Sequence, residues 1–206
     1  MFKSILVLES AWDSREIESK SVWPIVKEFA NASGIKAYHQ TFTDKLSLLH
    51  WIDIYNKKNP SQKNLLYIAS HGVNGRISGL KRDINIKTVI SHLQRKQHIQ
   101  YVHFGCCLVG NPQNLTKLLN KAKYITMASG YYKSVDWVDS TMLDIMLWGR
   151  IISREYNKRS NEYNKGQKSH NVVKEFVRNE IPGLADKLGF QLVYRYGKRP
   201  PFVWPE

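Results

Sequence analysis

A histidine followed by glycine, His71-Gly72, and a pair of cysteines preceded by glycine, Gly105-Cys106-Cys107, are the places in this 206-residue sequence where covalent chemistry can be put. A thiolate is a good nucleophile near neutral pH. An imidazole can deliver a proton to a leaving group and then activate water, so one Cys and one His suffice for acyl transfer. Each feature directly follows an apolar run, residues 65–70 before the histidine and 99–104 before the cysteines. The competing reading of either cysteine is a small buried hydrophobe. Spacing alone also leaves open which thiol reacts, because side chains alternate across a strand and a one-residue slip exchanges Cys106 for Cys107. His103 and His92 are the other candidate bases. His103 falls inside an apolar strand and His92 on a helix, and neither precedes a glycine at a strand end.

The elements that must position these residues follow from periodicity. Short apolar runs rich in β-formers predict strands at 3–8, 35–42, 65–70, 99–104 and 124–128. Helical spacing predicts helices at 23–30, with Ser21 as a cap and Pro24 in the first turn, from Thr43-Asp44 to a stop at 59–61, and at 86–93, 112–122 and 138–156. A further stretch, 172–188, reads as helical but interrupted at Pro182-Gly183. Trp51, Trp137 and Trp148 fall among apolar helix positions and read as core. The glycines between 72 and 79 predict a loop or small hairpin. Residues 190–196 alternate in character, as an antiparallel edge strand does, and the proline-rich tail 197–206 reads as extended. Strands apolar on both faces and alternating with helices predict an α/β three-layer sandwich, with a mostly parallel six-stranded sheet and an antiparallel edge. No repeat or linker divides residues 1–206, so one domain is expected. In such a sheet, reactive groups gather at the carboxyl ends of the strands. If the third and fourth strands are neighbours, His71 and a thiol emerge side by side.

Composition narrows the setting. The 42% hydrophobic and 23% charged residues are ordinary for a globular protein. Two adjacent cysteines build no disulfide scaffold, which points to a reducing, cytoplasmic setting. The apolar start is broken at Glu9 and carries no cleavage site, and no run approaches the roughly 18–20 residues of a membrane span, so no membrane association is expected. The net charge of +14 admits an acidic partner such as nucleic acid. Lys and Arg are nevertheless spread along the chain, and no run interleaves aromatic with basic residues. A solvated basic surface is the simpler reading. No G-x-G-x-x-G or P-loop is present to cradle a phosphate.

Residues 65–72, LLYIASHG, resemble the apolar-strand-then-His-Gly motif of the caspase-like (clan CD) cysteine peptidases. Residues 101–110, YVHFGCCLVG, resemble the second motif of that clan, a strand, a small residue and the nucleophilic Cys. A Gly three residues after Cys107 is similar to the CHAT branch, the caspase and separase relatives found in bacteria. Cys106 stands where the clan has a small residue. Met127-Ala-Ser-Gly-Tyr, then Val135-Asp-Trp-Val-Asp139 and a long helix, resemble the strand, pocket loop and helix that follow the nucleophile.

The resemblance implies a cysteine endopeptidase with a His71/Cys107 dyad and a thioester acyl-enzyme. The backbone N–H groups of Gly72 and Cys107 would form the oxyanion hole, and neither metal nor organic cofactor is required. The substrate would be a protein or peptide, and any regulator a separate protein or a second copy of the chain. Self-cleavage in the basic stretch 157–169 is the other implied route of control. Arg76, Gly105, Ser129, Asp136 and Asp139 are the candidate pocket residues. Clan members that cut after Lys or Arg often carry an acidic residue at the position held here by Gly105. Asp136 and Asp139 would favour a basic side chain instead, Arg76 an acidic one, and exposed loop charges are the alternative for each. The rival from another class is a caspase-fold binding module that does not need its thiol.

Overall fold

The computed structural model describes residues 2–10, 20–58, 60, 63–73, 75–156, 169–195, 197 and 199–205. The stretch 157–168, where self-cleavage was expected, lies outside the described residues, as do Asn59 and Ser61 of the expected helix stop. Strand β1 (Ser4–Glu9) is buried at every position, as its unbroken apolar run requires. Helix α1 (Trp23–Ser33) follows with Pro24 in its first turn and ends at Gly34 in the left-handed region, φ 65°. The N-cap is Val22 rather than the expected Ser21, whose hydroxyl donates to Glu9 Oε2 (2.7 Å) while accepting from Trp23 N–H (3.2 Å). Then come β2 (Lys36–Thr41), α2 (Lys45–Lys58) and β3 (Asn64–Ala69). The carboxylate of Asp44 accepts the Ser47 N–H (2.9 Å) at the start of α2.

After β3 the glycine-rich stretch folds into a small antiparallel sheet of β4 (Gly72–Val73), β5 (Arg76–Ile77) and β6 (Ile84–Asn85). Asn85 caps α3 (Ile86–Leu93) by accepting the Lys87 N–H (2.9 Å), the interaction expected of an Asn at that position. The chain continues through β7 (Ile99–Gly105), α4 (Pro112–Lys121), β8 (Met127–Tyr131), α5 (Trp137–Tyr156), α6 (Ser169–Asn179), α7 (Pro182–Leu188), β9 (Phe190–Tyr194) and β10 (Phe202–Trp204).

The main sheet has seven strands in the order β10-β9-β8-β7-β3-β1-β2. The five from β2 to β8 are parallel, while β9 runs antiparallel to β8 and β10 antiparallel to β9. This is the expected three-layer α/β architecture with two corrections. The tail contributes a seventh strand, because Phe202–Trp204 pairs with the free edge of β9, so β9 is interior. The fifth strand spans Met127–Tyr131 rather than 124–128. Ala128, Ser129 and Gly130 are poor strand formers in isolation. They are accepted here because all three are buried between β7 and β9.

One face of the sheet packs on α2, α3 and α4 through Leu48, Ile52, Val89, Leu93, Leu115 and Leu118. The other packs on α1, α5, α6 and α7 through Val26, Leu147, Trp148, Phe176 and Leu188. Trp148 is fully buried as expected, and Trp51 and Trp137 are partly buried against the two cores.

Beneath the second face lies a polar network that the apolar patterning does not announce. His103 Nδ1 is 2.6 Å from Ser129 Oγ, which also meets Tyr101 Oη at 2.6 Å. The other ring nitrogen of His103 lies 2.8 Å from Asp144 Oδ1, and Tyr131 Oη donates to the same oxygen (2.6 Å). Burial, reinforced by the Asp144 carboxylate, pushes the phenols of Tyr67 and Tyr131 far above their ordinary range. A buried polar group left without its partner costs several kcal/mol. Asp144→Ala is therefore expected to lower folding stability by about 3–5 kcal/mol, read as the shift in urea midpoint at constant slope.

Candidate active site

Strands β3 and β7 are adjacent and parallel, and their pairing contains one irregularity. Asn64 faces Ile99, but Leu65 faces Tyr101, so Gln100 is an extra residue in β7. Its carbonyl is not wasted: it accepts the Thr126 N–H (2.9 Å). Asn64 is pinned beside the bulge, accepting from Ser4 Oγ (2.8 Å) and donating to His98 C=O (2.8 Å). From there the register runs unbroken to Ala69 opposite Gly105. Beyond that pair both segments leave the sheet, β3 into His71-Gly72 and β7 into Cys106-Cys107.

The chains close upon one another just past the sheet. A Cβ built on Gly72 would stand 2.1 Å from the Cys107 carbonyl oxygen, 2.8 Å from Val109 Cγ2 and 3.1 Å from Cys106 Cβ. Only glycine permits that approach, so the His71-Gly72 segment lies directly against Cys106-Cys107. The Ser78 N–H donates to the His71 carbonyl (2.9 Å), which makes Gly72 and Ile77 a pair that exchanges no hydrogen bonds of its own. The Gly72 N–H is consequently turned out of the β4–β5 hairpin.

The two thiols have different surroundings. Cys106 is fully buried among Leu66, Ile68 and Val109, and its Sγ donates to the Ile68 carbonyl (3.3 Å). Burial pushes this thiol well above its ordinary value. Cys107, on the opposite parity, is half-buried. Its Sγ accepts the Val135 N–H (3.4 Å) and lies 3.8 Å from the Val135 carbonyl oxygen. The next residue, Leu108, adopts φ 59°, the left-handed region that non-glycine residues seldom enter. Its N–H donates to Lys133 C=O (3.2 Å), and the Gly110 N–H donates to Tyr131 C=O (3.0 Å). A Cβ on Gly110 would lie 2.3 Å from Tyr131 N and 2.4 Å from the Gly130 carbonyl carbon, so the glycine three residues after Cys107 has a steric origin. The turn 107–110 is thus zipped against residues 131–135.

The remaining expected site residues separate. His71 and Arg76 are exposed, Arg76 on β5 of the small sheet, paired with Val73. Gly105 is half-exposed, and a Cβ there would stand 2.5 Å from the Tyr67 ring, so its smallness is also a packing requirement. Asp136 caps α5, accepting the N–H groups of Val138 (2.8 Å) and Asp139 (3.0 Å), and those donors hold its carboxyl below the ordinary range. Asp139 accepts Lys187 Nζ (2.7 Å). Ser129 is a correction: as a fully buried member of the His103 network it lines no pocket. His103 is likewise packed, and His92 pairs with Asp53 on the surface (2.9 Å). Val135 opens the expected pocket loop, but its place beside the Cys107 thiol was not expected. Its contact with the thiol is made by backbone atoms, which leave no mark in residue type. Among the described residues no cluster of three or more His, Cys, Asp or Glu is placed to hold a metal ion, and no helix is long and apolar enough to cross a membrane.

No family model matches this sequence, and no curated protein is similar to it at a significant level. Among solved structures, the chain is similar to a secreted C11 cysteine protease from Bacteroides thetaiotaomicron, determined in complex with an irreversible peptide inhibitor. The two share 9% identity at a TM-score of 0.52, over 94% of this chain and 66% of that one. The likeness establishes a caspase-like fold, and the chain spans about two thirds of the length of that neighbour.

The contrast between the thiols is directly measurable. In the folded protein, iodoacetamide near neutral pH is expected to modify Cys107 and leave Cys106 untouched until denaturant is added, as read by peptide mass mapping. Equal labelling of the two under native conditions would contradict the burial described above.

Proposed function

We propose that this chain is a cysteine endopeptidase acting through His71 and Cys107. The observation that carries the reading is the seating of Gly72 on the Cys107 carbonyl, at the carboxyl ends of two adjacent parallel strands. That is where an imidazole and a thiol must meet for acyl transfer. The fold shared with a cysteine protease supports it.

In the acylation step Cys107 Sγ, as thiolate, attacks the scissile carbonyl carbon, and an S–C bond forms. The oxyanion is received by the N–H of Gly72, turned out of its hairpin, and by the N–H of Cys107. The His71 imidazolium gives its proton to the departing amine as the C–N bond breaks, leaving a thioester. Neutral His71 then takes a proton from water, which attacks the thioester. The product leaves as a carboxylic acid and the sulfur departs as thiolate. The scheme uses no cofactor. The left-handed turn at Leu108 and the Val135 N–H present the sulfur.

The branch of closest kinship within the clan is, in this reading, the CHAT group, on the strength of Gly110. Its backbone contact with Gly130 and Tyr131 gives that spacing a physical function. Arg76, Asp136 and Asp139 are the charged candidates for the substrate pocket, and Gly105 is its small candidate. Substrates are proteins or peptides, and control lies with a separate regulatory protein or a second copy of the chain. Both cysteines are free thiols, which suits a reducing compartment such as the cytoplasm. The basic surface is solvated and needs no nucleic acid to explain it.

Peptidyl electrophiles bearing Arg, Asp or Leu at P1 test the assignment. At least one should modify Cys107, and His71→Ala should slow that modification by about 100-fold or more, the size of a general acid–base contribution. The map of the modified peptide identifies the thiol. Failure of all three to label, with the protein folded, would turn the reading to a non-catalytic binding module.

A further inference from the structure

The segment that grips the nucleophile is itself held from outside the sheet. Residues 131–135 meet the turn 107–110 at three successive points: Gly110 N–H to Tyr131 C=O, Leu108 N–H to Lys133 C=O, and Val135 N–H to Cys107 Sγ. On its other side the same segment is tied to the end of α7. The Tyr132 N–H donates to Gly189 C=O (3.0 Å), and Lys133 Nζ donates to Asp186 C=O (2.7 Å). Asp186 C=O, which also accepts the Gly189 N–H (3.1 Å), belongs to the last turn of α7, where a cation is favoured. The Lys133 stem runs across Gly189, where a Cβ would stand 2.7–3.1 Å from Lys133 Cβ, Cγ and Cδ. Gly189 is the left-handed cap of α7, φ 64°, so the close contact and the helix end are built from one glycine. The Lys187–Asp139 pair joins α7 to the first turn of α5, beyond the gripping segment.

We propose that Lys133 is a positioning residue for the nucleophile: its amine, seated on the C-terminal carbonyl of α7, holds the segment whose backbone grips the Cys107 thiol. This rests on the peptidase reading for its effect on turnover, but not for its effect on the thiol. Lys133 touches neither substrate nor sulfur through its side chain. It acts through Val135, whose N–H donates to Cys107 Sγ, a bond that strengthens as sulfur gains negative charge on becoming a thiolate. When the tether is lost, the loop of residues 132–136 can lift away, and the sulfur loses both its donor and its fixed direction of attack. Misplacement on the scale of an ångström in a reacting group costs up to about 100-fold in rate.

Lys133→Met keeps the stem and removes the amine, and Lys133→Arg keeps the charge. Lys133 is exposed, so both variants are expected to fold. Two rates are compared with wild type: iodoacetamide modification of Cys107, and kcat and KM on whichever peptide the electrophile panel identifies. The expected result is a fall of about tenfold in both the alkylation rate and kcat for Lys133→Met. KM should stay within about twofold, thermal unfolding should be unchanged, and Lys133→Arg should restore most of the loss. Wild-type alkylation in Lys133→Met overturns the proposal, as does a loss that tracks a lowered melting temperature and is not rescued by arginine. Slower alkylation in Lys133→Met, in a wild-type protein that cleaves no peptide, would uphold the tether and sink the peptidase reading.

Discussion

The site depends on one extra residue in a strand far from it. Gln100 bulges out of β7 opposite the Asn64–Leu65 step, and every pairing beyond that point, through Ala69 and Gly105, inherits the shift. Because side chains alternate faces with a period of two, a shift of one residue changes which face each later residue of β7 takes. With the bulge, Cys106 turns into the layer of α2, α3 and α4, and Cys107 is left half-buried against Val135. A bulge costs ladder bonds, and this one is supported: Asn64 spans Ser4 and His98, and the displaced Gln100 carbonyl finds Thr126.

Downstream of the register, the geometry is governed by how closely three chain segments can leave the sheet. Gly72 rests on the Cys107 carbonyl, and Gly110 rests on Gly130 and Tyr131. Each contact is shorter than any side chain allows, so the glycines are consequences of the crowding around the turn 107–110. Crowding also explains why Leu108 sits in the left-handed region: the turn must reverse within one residue of the thiol while its N–H groups reach Lys133 and Tyr131. Strain of this kind persists where the surroundings over-determine it. Here those surroundings are β8, the loop to α5, and the α7 end to which that loop is tied.

Helix α5 links the support to the core. Its N-terminus is capped by Asp136, adjacent to the residue on the sulfur, and two turns later Asp144 enters the sealed network of His103, Ser129, Tyr101 and Tyr131. Tyr131 belongs to both systems: its hydroxyl reaches Asp144, and its backbone receives Gly110. A Ser–His–Asp grouping of this kind reads like a catalytic triad on paper. Full burial of all three residues makes it a packing device instead.

What the sequence determined is local. Unbroken apolar runs at β1, β3 and β7, helical periodicity between them, and His-Gly and Gly-Cys-Cys at two strand ends made the α/β layering and the candidate dyad legible, because burial on both faces leaves a direct imprint on residue type. The small hairpin in residues 72–79 and the helix interruption near Pro182-Gly183 were legible through glycine and proline, whereas β6, the third strand of the small sheet, was not. The rest was decided by tertiary structure. Residues 129–131 are strand only because β7 and β9 flank them, and Phe202–Trp204 is strand only because the edge of β9 is open to it. Ser129 belongs to the core rather than a pocket because His103 and Tyr101 reach it from across the sheet. Val135 and Lys133 acquire their places at the thiol through backbone contacts and a helix end distant in sequence, and such contacts impose no pattern on the chain that makes them. The register of β3 against β7 likewise turned on a bulge, and a bulge is a property of two paired strands that neither carries alone.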